Sequence, residues 1–261
     1  MPGSRRRALG QHFLRDAGIA RAIVELVAPT ARDLVVEIGP GEGALTVELA
    51  GRAGRVVALE VDRVLLARLR QRLPLVEAVE ADARTWDYGL LVRPDGGRVL
   101  VVGNLPYSVG KPILAALLQA RRALDAMALM LQREVAERLA APPGGKVYGA
   151  LSVLTQAVCD VDLALRVPPG AFRPPPQVES AVVRIVPRRH SRVPPELEVR
   201  FREVVRAAFA SRRKTLANAL SGGLGLSLKD VRETAERSGV DPGRRAETLT
   251  IEEFVSLTAR L

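Results

Sequence analysis

The chain has 261 residues, 48% of them hydrophobic, and a formal net charge of +10. That length suits one sizeable α/β domain with a smaller second one, and the apolar fraction excludes disorder throughout. No apolar run approaches the roughly 18 residues of a membrane span, and no apolar segment follows Arg5, Arg6 and Arg7 as a secretory signal would require. One cysteine and two histidines exclude an intrachain disulfide and argue against a metal centre, so a soluble, cytoplasmic, metal-free protein is expected.

The basic residues are clustered. Arg5, Arg6, Arg7 and Arg15 precede the first acid, Asp16, and between Glu203 and Asp230 the only charges are Arg206, Arg212, Arg213, Lys214 and Lys229. A composition rich in Arg, Ala, Gly and Pro is also what a GC-rich genome yields. Placement, more than total charge, therefore points to a polyanionic partner such as nucleic acid.

Behind the basic arm, Ile19, Ile23, Val24 and Val27 recur at helical spacing and predict a helix from Asp16 to Val27, ended by Pro29. Leu34 to Ile38 is a short β-branched apolar run, hence a buried strand. It feeds Gly39-Pro40-Gly41-Glu42-Gly43 and a helix over Ala44 to Ala50. Glycines there let a ligand approach the backbone, and the helix start favours a carboxylate or phosphate. A second strand, Val56 to Leu59, leads into Glu60, an acid about 20 residues beyond the glycine turn and placed to accept both hydroxyls of a ribose. Nicotinamide, flavin and S-adenosylmethionine enzymes all use versions of this pattern. After a helix over Arg63 to Leu73, the strand Val76 to Val79 brings Asp82, with Ala83 beside it, to another strand end. Asp82 there either bonds an adenine amine or is a solvated loop acid.

A fourth strand, Val99 to Val102, delivers Gly103 and then Asn104-Leu105-Pro106-Tyr107. The Asn104 amide oxygen and a nearby carbonyl can accept the two hydrogens of an exocyclic amine. Pro106 stiffens the turn, and Tyr107 offers a flat face for a planar base. The same four residues also make a plain turn. A helix over Ile113 to Leu118, a fifth strand over Ala126 to Leu131 and a helix over Arg133 to Leu139 continue the alternation, which predicts a parallel sheet covered on both faces. A loop over Pro142 to Lys146 and a helix over Tyr148 to Val158 follow. Asp160 to Val167 and Ala181 to Val186 suggest a closing hairpin. Between them Phe172-Arg173-Pro174-Pro175-Pro176 is a stiff loop whose aromatic either serves a site or anchors the loop on the sheet.

Arg188 to Pro195 has the look of a domain boundary, dividing the chain into residues 1–190 and 191–261. Beyond it Leu197, Phe201, Val205 and Phe209 keep helical spacing, and Gly222 to Gly225 is expected to break the chain. Ser227 with Asp230 starts another helix, ended by Gly239. The last helix carries a capping box, Thr250 and Glu253, with Leu249 and Phe254 as its hydrophobic staple.

Taken together, Leu9 to Leu14, Val36 to Thr46, Glu60, Asp82, Asn104 to Ser108, Phe172 to Ser180 and Arg212 to Leu216 resemble the ribosomal RNA adenine-N6 dimethyltransferases over nearly the whole chain. The resemblance implies a Rossmann-like α/β methyltransferase domain with a small helical C-terminal domain, using S-adenosylmethionine. It implies that His12, Leu14, Gly39, Gly41, Glu60, Asp82, Ala83 and Asn104 hold that cofactor, His12 standing where many members have Asn. Asn104, Leu105, Pro106 and Tyr107 would receive the target adenine, with Phe172 stacking on its other face. Arg5, Arg6, Arg7, Lys146, Arg212, Arg213 and Lys214 would bind RNA. Leu105 and the stretch Tyr148 to Val153 look like the branch that converts two adjacent adenines near the 3′ end of 16S RNA to dimethyladenine in the assembling small subunit, acting as a monomer. The branch that modifies 23S RNA in macrolide resistance is the alternative.

Overall fold

The computed structural model describes residues 12–261, and the chain forms two compact units. The first runs to Ala136 and takes up Asp162–Pro187 again; the second comprises Glu137–Val161 and Arg188–Leu261. Residues 137–161, well before the division at 190 drawn from the sequence, thus group with the C-terminal helices.

In the first unit β1 (Phe13–Leu14) precedes α1 (Ala17–Glu25), β2 (Leu34–Ile38), α2 (Ala44–Ala50), β3 (Arg55–Glu60), α3 (Arg63–Arg72) and β4 (Glu77–Glu80). Then come β5 (Val99–Asn104), α4 (Gly110–Gln119), β6 (Ala126–Gln132) and the start of α5 (Arg133–Ala140). Five strands pair in parallel in the order β4-β3-β2-β5-β6. All five residues of β2 are buried, as a strand covered on both faces must be, which is why it reads as an apolar run broken only by Glu37.

The sheet departs from the parallel expectation at one end. There β9 (Ser180–Pro187) inserts between β6 and β7 (Cys159–Val167) and runs antiparallel to β6. A separate two-stranded ladder joins β1 to β8 (Phe172–Arg173), with Leu14 opposite Phe172.

Side chains fix the entry points of these elements. Asp16 caps α1 through Ile19 N at 2.9 Å, and Asp62 caps α3 through Val64 N at 2.8 Å, contacts worth about 1 kcal/mol each. Below the sheet, buried Asp33 accepts from Thr30 N, Arg98 N and Arg98 Nη2, each at 2.8 Å, and so ties the starts of β2 and β5 together. Burial alone would raise its pKa, yet the hydrogen bonds from Arg98 and Thr30 outweigh that and hold it well below the usual carboxylate range.

The second unit holds the rest of α5 with α6 (Ala150–Gln156), α7 (Glu198–Phe209), α8 (Leu216–Leu224), α9 (Leu228–Arg237) and α10 (Ile251–Thr258). Its aromatic core runs from Tyr148 to Phe209 to Phe254, with ring centroids 6.1 and 5.8 Å apart. Gly222 and Gly223 do not break the chain as expected. They lie inside α8, where a Cβ on Gly223 would stand 2.6 Å from the Ala207 Cβ of α7, so the glycine lets two helices approach. Gly225, at φ +69°, ends α8. Ser227 caps α9, and Thr250 and Glu253 form the reciprocal capping box of α10. Leu249 and Phe254 are both fully buried. Among the described residues no helix is long and apolar enough to cross a membrane, and no cluster of His, Cys, Asp and Glu could hold a metal ion.

Candidate active site

The carboxyl ends of β2, β3, β4 and β5 open into one cleft in the first unit, with about 880 Å³ of space including its mouth. Open α/β sheets bind ligands at this edge because the strand order reverses there and the loops diverge. Gly39, Gly41, Glu60, Asp82, Ala83, Asn104, Leu105, Pro106 and Tyr107 all line it, and the strap before α1 contributes His12 and Phe13. At Gly41, φ is +57° and a Cβ would sit 2.9 Å from the Phe13 ring. Only glycine fits between strap and turn.

Asn104 ends β5, and its Nδ2 donates to the His12 carbonyl at 2.9 Å. With the amide nitrogen committed, its Oδ1 is left as an acceptor. Of the two carbonyls that could assist it, Pro106 O accepts from Val109 N at 3.0 Å, closing the turn into α4. Leu105 N is tied to Met130 O at 3.1 Å, and among the described residues nothing donates to Leu105 O. Among the described residues nothing donates to Asn104 Oδ1 either, while Pro106 O keeps one of its two lone pairs. Tyr107 is half-buried, its ring 5.7 Å from that of His12, and burial pushes its hydroxyl pKa up. The His12 Nδ1 in turn lies 2.8 Å from Pro174 O.

Glu60 is buried and heavily engaged. Its Oε1 accepts from Val61 N and Asp62 N at 2.9 and 3.0 Å, and its Oε2 from Gly41 N at 3.3 Å. Burial raises its pKa, and these backbone donors pull the other way. A carboxylate has about four acceptor positions. Three are used, so little capacity remains for a ribose hydroxyl pair unless the Gly41 contact yields. Asp82 is gripped by Arg84, whose Nη2 lies 2.5 Å from Oδ2, and this partner holds its pKa below the usual range.

Two expected site residues lie off the main cleft. Leu14 is 5% exposed in the core of the unit and borders a small side cleft that it shares with Glu37, Gly39, Gly41 and Asn104. Phe172, also 5% exposed, belongs to the same core and does not line the main cleft. The Leu14–Phe172 pairing supplies the reason, because the β1–β8 ladder turns both side chains inward.

In the second unit Arg212, Arg213 and Lys214 are exposed in the turn between α7 and α8, and no carboxylate among the described residues pairs with them. Lys146 is exposed in its own loop, where Gly144 N donates to Glu247 O at 2.8 Å. Arg5, Arg6 and Arg7 lie outside the described residues.

Glu37, which sits in an otherwise apolar strand, is not among the expected site residues. It is 1% exposed, neither carboxylate oxygen has a hydrogen-bond partner, and it borders the side cleft. Burial pushes its pKa up to about 8; Thr46 beside it partly offsets this, and the charge of Glu60 adds to it. An acid interrupting an otherwise apolar buried strand is the signal that could have found it.

A parallel sheet extended by an antiparallel β9, with a glycine turn, a buried acid at the end of β3 and an Asn turn at the end of β5 along one edge, is the build of a Rossmann-like methyltransferase. Known proteins agree. The chain matches the family described as ribosomal RNA adenine dimethylase over residues 3–261, and it belongs to that family. It is 46% identical over 265 residues to ribosomal RNA small subunit methyltransferase A of Geobacter sulfurreducens, covering 98% of this chain and 95% of that one. The Xylella fastidiosa protein of the same name is 42% identical over 257 residues, covering 97% and 94%. Among solved structures, the 23S rRNA methyltransferase ErmE superposes with a TM-score of 0.74 at 27% identity, covering 95% and 99%. A Plasmodium falciparum dimethyladenosine transferase shares the fold with a TM-score of 0.81 at 24% identity, covering 94% and 96%.

Proposed function

We propose that the chain transfers methyl groups from S-adenosylmethionine to the N6 amines of two adjacent adenines near the 3′ end of 16S rRNA, giving dimethyladenine. The observation that carries the reading is the Asn104 amide, oriented by the His12 carbonyl so that its oxygen is the free end. An adenine amine is a poor nucleophile because its lone pair is delocalised into the ring. Accepting its hydrogens at Asn104 Oδ1 and Leu105 O favours a pyramidal nitrogen, which is catalysis by positioning and electrostatics without a strong base. The cofactor would supply an electrophilic methyl on a sulfonium; the new bond is N–C, the bond broken is S–C, and the amine proton leaves to solvent. Gly39, Gly41, Glu60 and Asp82 fit the cofactor because they line one cleft with a glycine approach and two carboxylates.

The base must leave its stack, at a cost of a few kcal/mol. A Tyr107 platform contributes about 1 to 3 kcal/mol. Phe172 would add a second face only on leaving the core, so Tyr107 is the platform the described structure favours. Arg212, Arg213 and Lys214 would dock RNA phosphates, together with Lys146 and the basic arm, on a monomer acting in the cytoplasm on assembling small subunits. Labelled S-adenosylmethionine, incubated with unmodified small and large subunits and followed by mapping of methylated adenines, tests the reading. Label on the large subunit alone would transfer the assignment to the 23S type.

A further inference from the structure

Tyr107 Oη and Ser180 Oγ lie 2.6 Å apart, a contact between a turn and a strand far apart in sequence. Ser180 is the first residue of β9, fully buried, and faces Gln132, the last residue of β6, in the antiparallel ladder. Immediately beyond, Arg133 N donates to Glu179 O at 2.9 Å, so the backbone on that side of Ser180 is locked as well. Tyr107 is placed differently. It is half-buried in a turn outside the ladder, and its backbone is fixed only through its neighbours. A tyrosine side chain has two torsions, and a hydrogen bond at its far tip to a rigid, fully buried hydroxyl fixes where the ring lies. The His12 ring, tilted 36° to it, limits rotation about the ring axis. Sequence proximity explains none of this, nor does the cofactor cleft, which Ser180 does not line.

We propose that Ser180 is a positioning residue for methyl transfer: by holding the Tyr107 hydroxyl it fixes the aromatic face on which the acceptor adenine stacks. The inference rests on the adenine-methylating reading of the Asn104 turn. Its consequence is selective, because a base held slightly out of line loses rate steeply, whereas the glycine turn and the two carboxylates that would hold the cofactor are untouched.

Two variants remove the same hydrogen bond from opposite ends, Ser180→Ala from the buried side and Tyr107→Phe from the half-buried side. Each is expected to lower kcat on unmodified small subunits on the order of 10-fold, with S-adenosylmethionine affinity by calorimetry within about two-fold of the parent. The double variant should be no slower than the slower single one, since both changes delete one interaction. A Ser180→Ala or Tyr107→Phe rate equal to the parent's overturns the proposal, and so does a double variant losing the product of the two single losses. If Ser180→Ala does not fold, Tyr107→Phe alone decides. A parent chain that transfers nothing would sink the underlying reading, while an active parent with unaffected variants sinks this inference alone.

Discussion

The Asn104 side chain donates its amide hydrogen to the His12 backbone carbonyl at 2.9 Å, so a strap residue orients the residue at the end of β5. This bond distinguishes the site from a plain turn, because it assigns the direction of the amide. Asn104→Ala should therefore lower methyl transfer by about 100-fold or more, the scale seen when a preorganised polar group is lost, while S-adenosylmethionine still binds. Asn104→Asp should fare no better, since a carboxylate facing the His12 carbonyl has no hydrogen to donate. Transfer rate and cofactor affinity measured on the same protein check this. A rate within a few-fold of the parent would remove Asn104 from the chemistry.

Glu60 is expected to act on cofactor affinity. Glu60→Gln keeps its shape but places an NH2 group against Gly41 N or against Val61 N and Asp62 N, where acceptors now stand. Because a lost charge-assisted contact is worth about 1.5 to 3 kcal/mol, S-adenosylmethionine should bind on the order of 10-fold more weakly or worse. Calorimetric titration decides, and unchanged affinity would make Glu60 a loop-organising residue only.

Glu37 predicts a pH dependence of stability. Its folded pKa of about 8 exceeds the ordinary 4.5, so below about pH 4.5 both states carry the proton and the group is neutral in the balance. Above that pH the unfolded chain releases the proton and the folded one keeps it. Stability then falls by up to about 1.4 kcal/mol per pH unit until the folded pKa is passed. Glu37→Gln should accordingly raise the melting temperature more at pH 8 than at pH 5. An equal change at both pH values would contradict a protonated Glu37.

Packing in the second unit is testable at one glycine. Gly223→Ala puts a methyl 2.6 Å from the Ala207 Cβ, so α7 and α8 must separate, at a cost of about 1 to 3 kcal/mol for overpacking. Propensity alone would favour alanine within a helix. A lowered melting temperature therefore reports the close approach, and a raised one would mean the helices part freely.

What the sequence makes legible here is local. The strand at Leu34–Ile38, the glycine turn, Glu60 and the Asn104 turn each declare themselves within a few residues, through an apolar run and the turn chemistry that ends it. The Thr250 capping box is legible for the same reason. What escapes depends on partners distant in the chain. The insertion of β9 between β6 and β7, the inward turn of Phe172 opposite Leu14 and the Tyr107–Ser180 bond are pairings that no local pattern encodes. Gly222-Gly223 misleads because a glycine pair reads as a break, although here it serves a neighbouring helix.

Arg212, Arg213 and Lys214 bear the prediction for RNA. They are exposed, lie in the turn between α7 and α8, and have no carboxylate partner among the described residues, so their charge is available to phosphates. The turn itself is held in place: Lys214 N donates to Ser211 O at 3.1 Å, and Leu216 N to Arg244 O at 2.7 Å. Replacing the three cations with Ala or Gln should therefore leave the fold intact. Phosphate contacts position a protein without reading sequence, and each releases counterions on binding. The logarithm of RNA affinity should lose about 0.7 to 0.9 of its slope against the logarithm of salt concentration per contact removed, and affinity should drop most at low salt. Cofactor affinity, set in the other unit, should not change. Binding isotherms over a salt series check this directly. A slope identical to the parent's would mean that the three cations are a solvated turn and that RNA docks elsewhere.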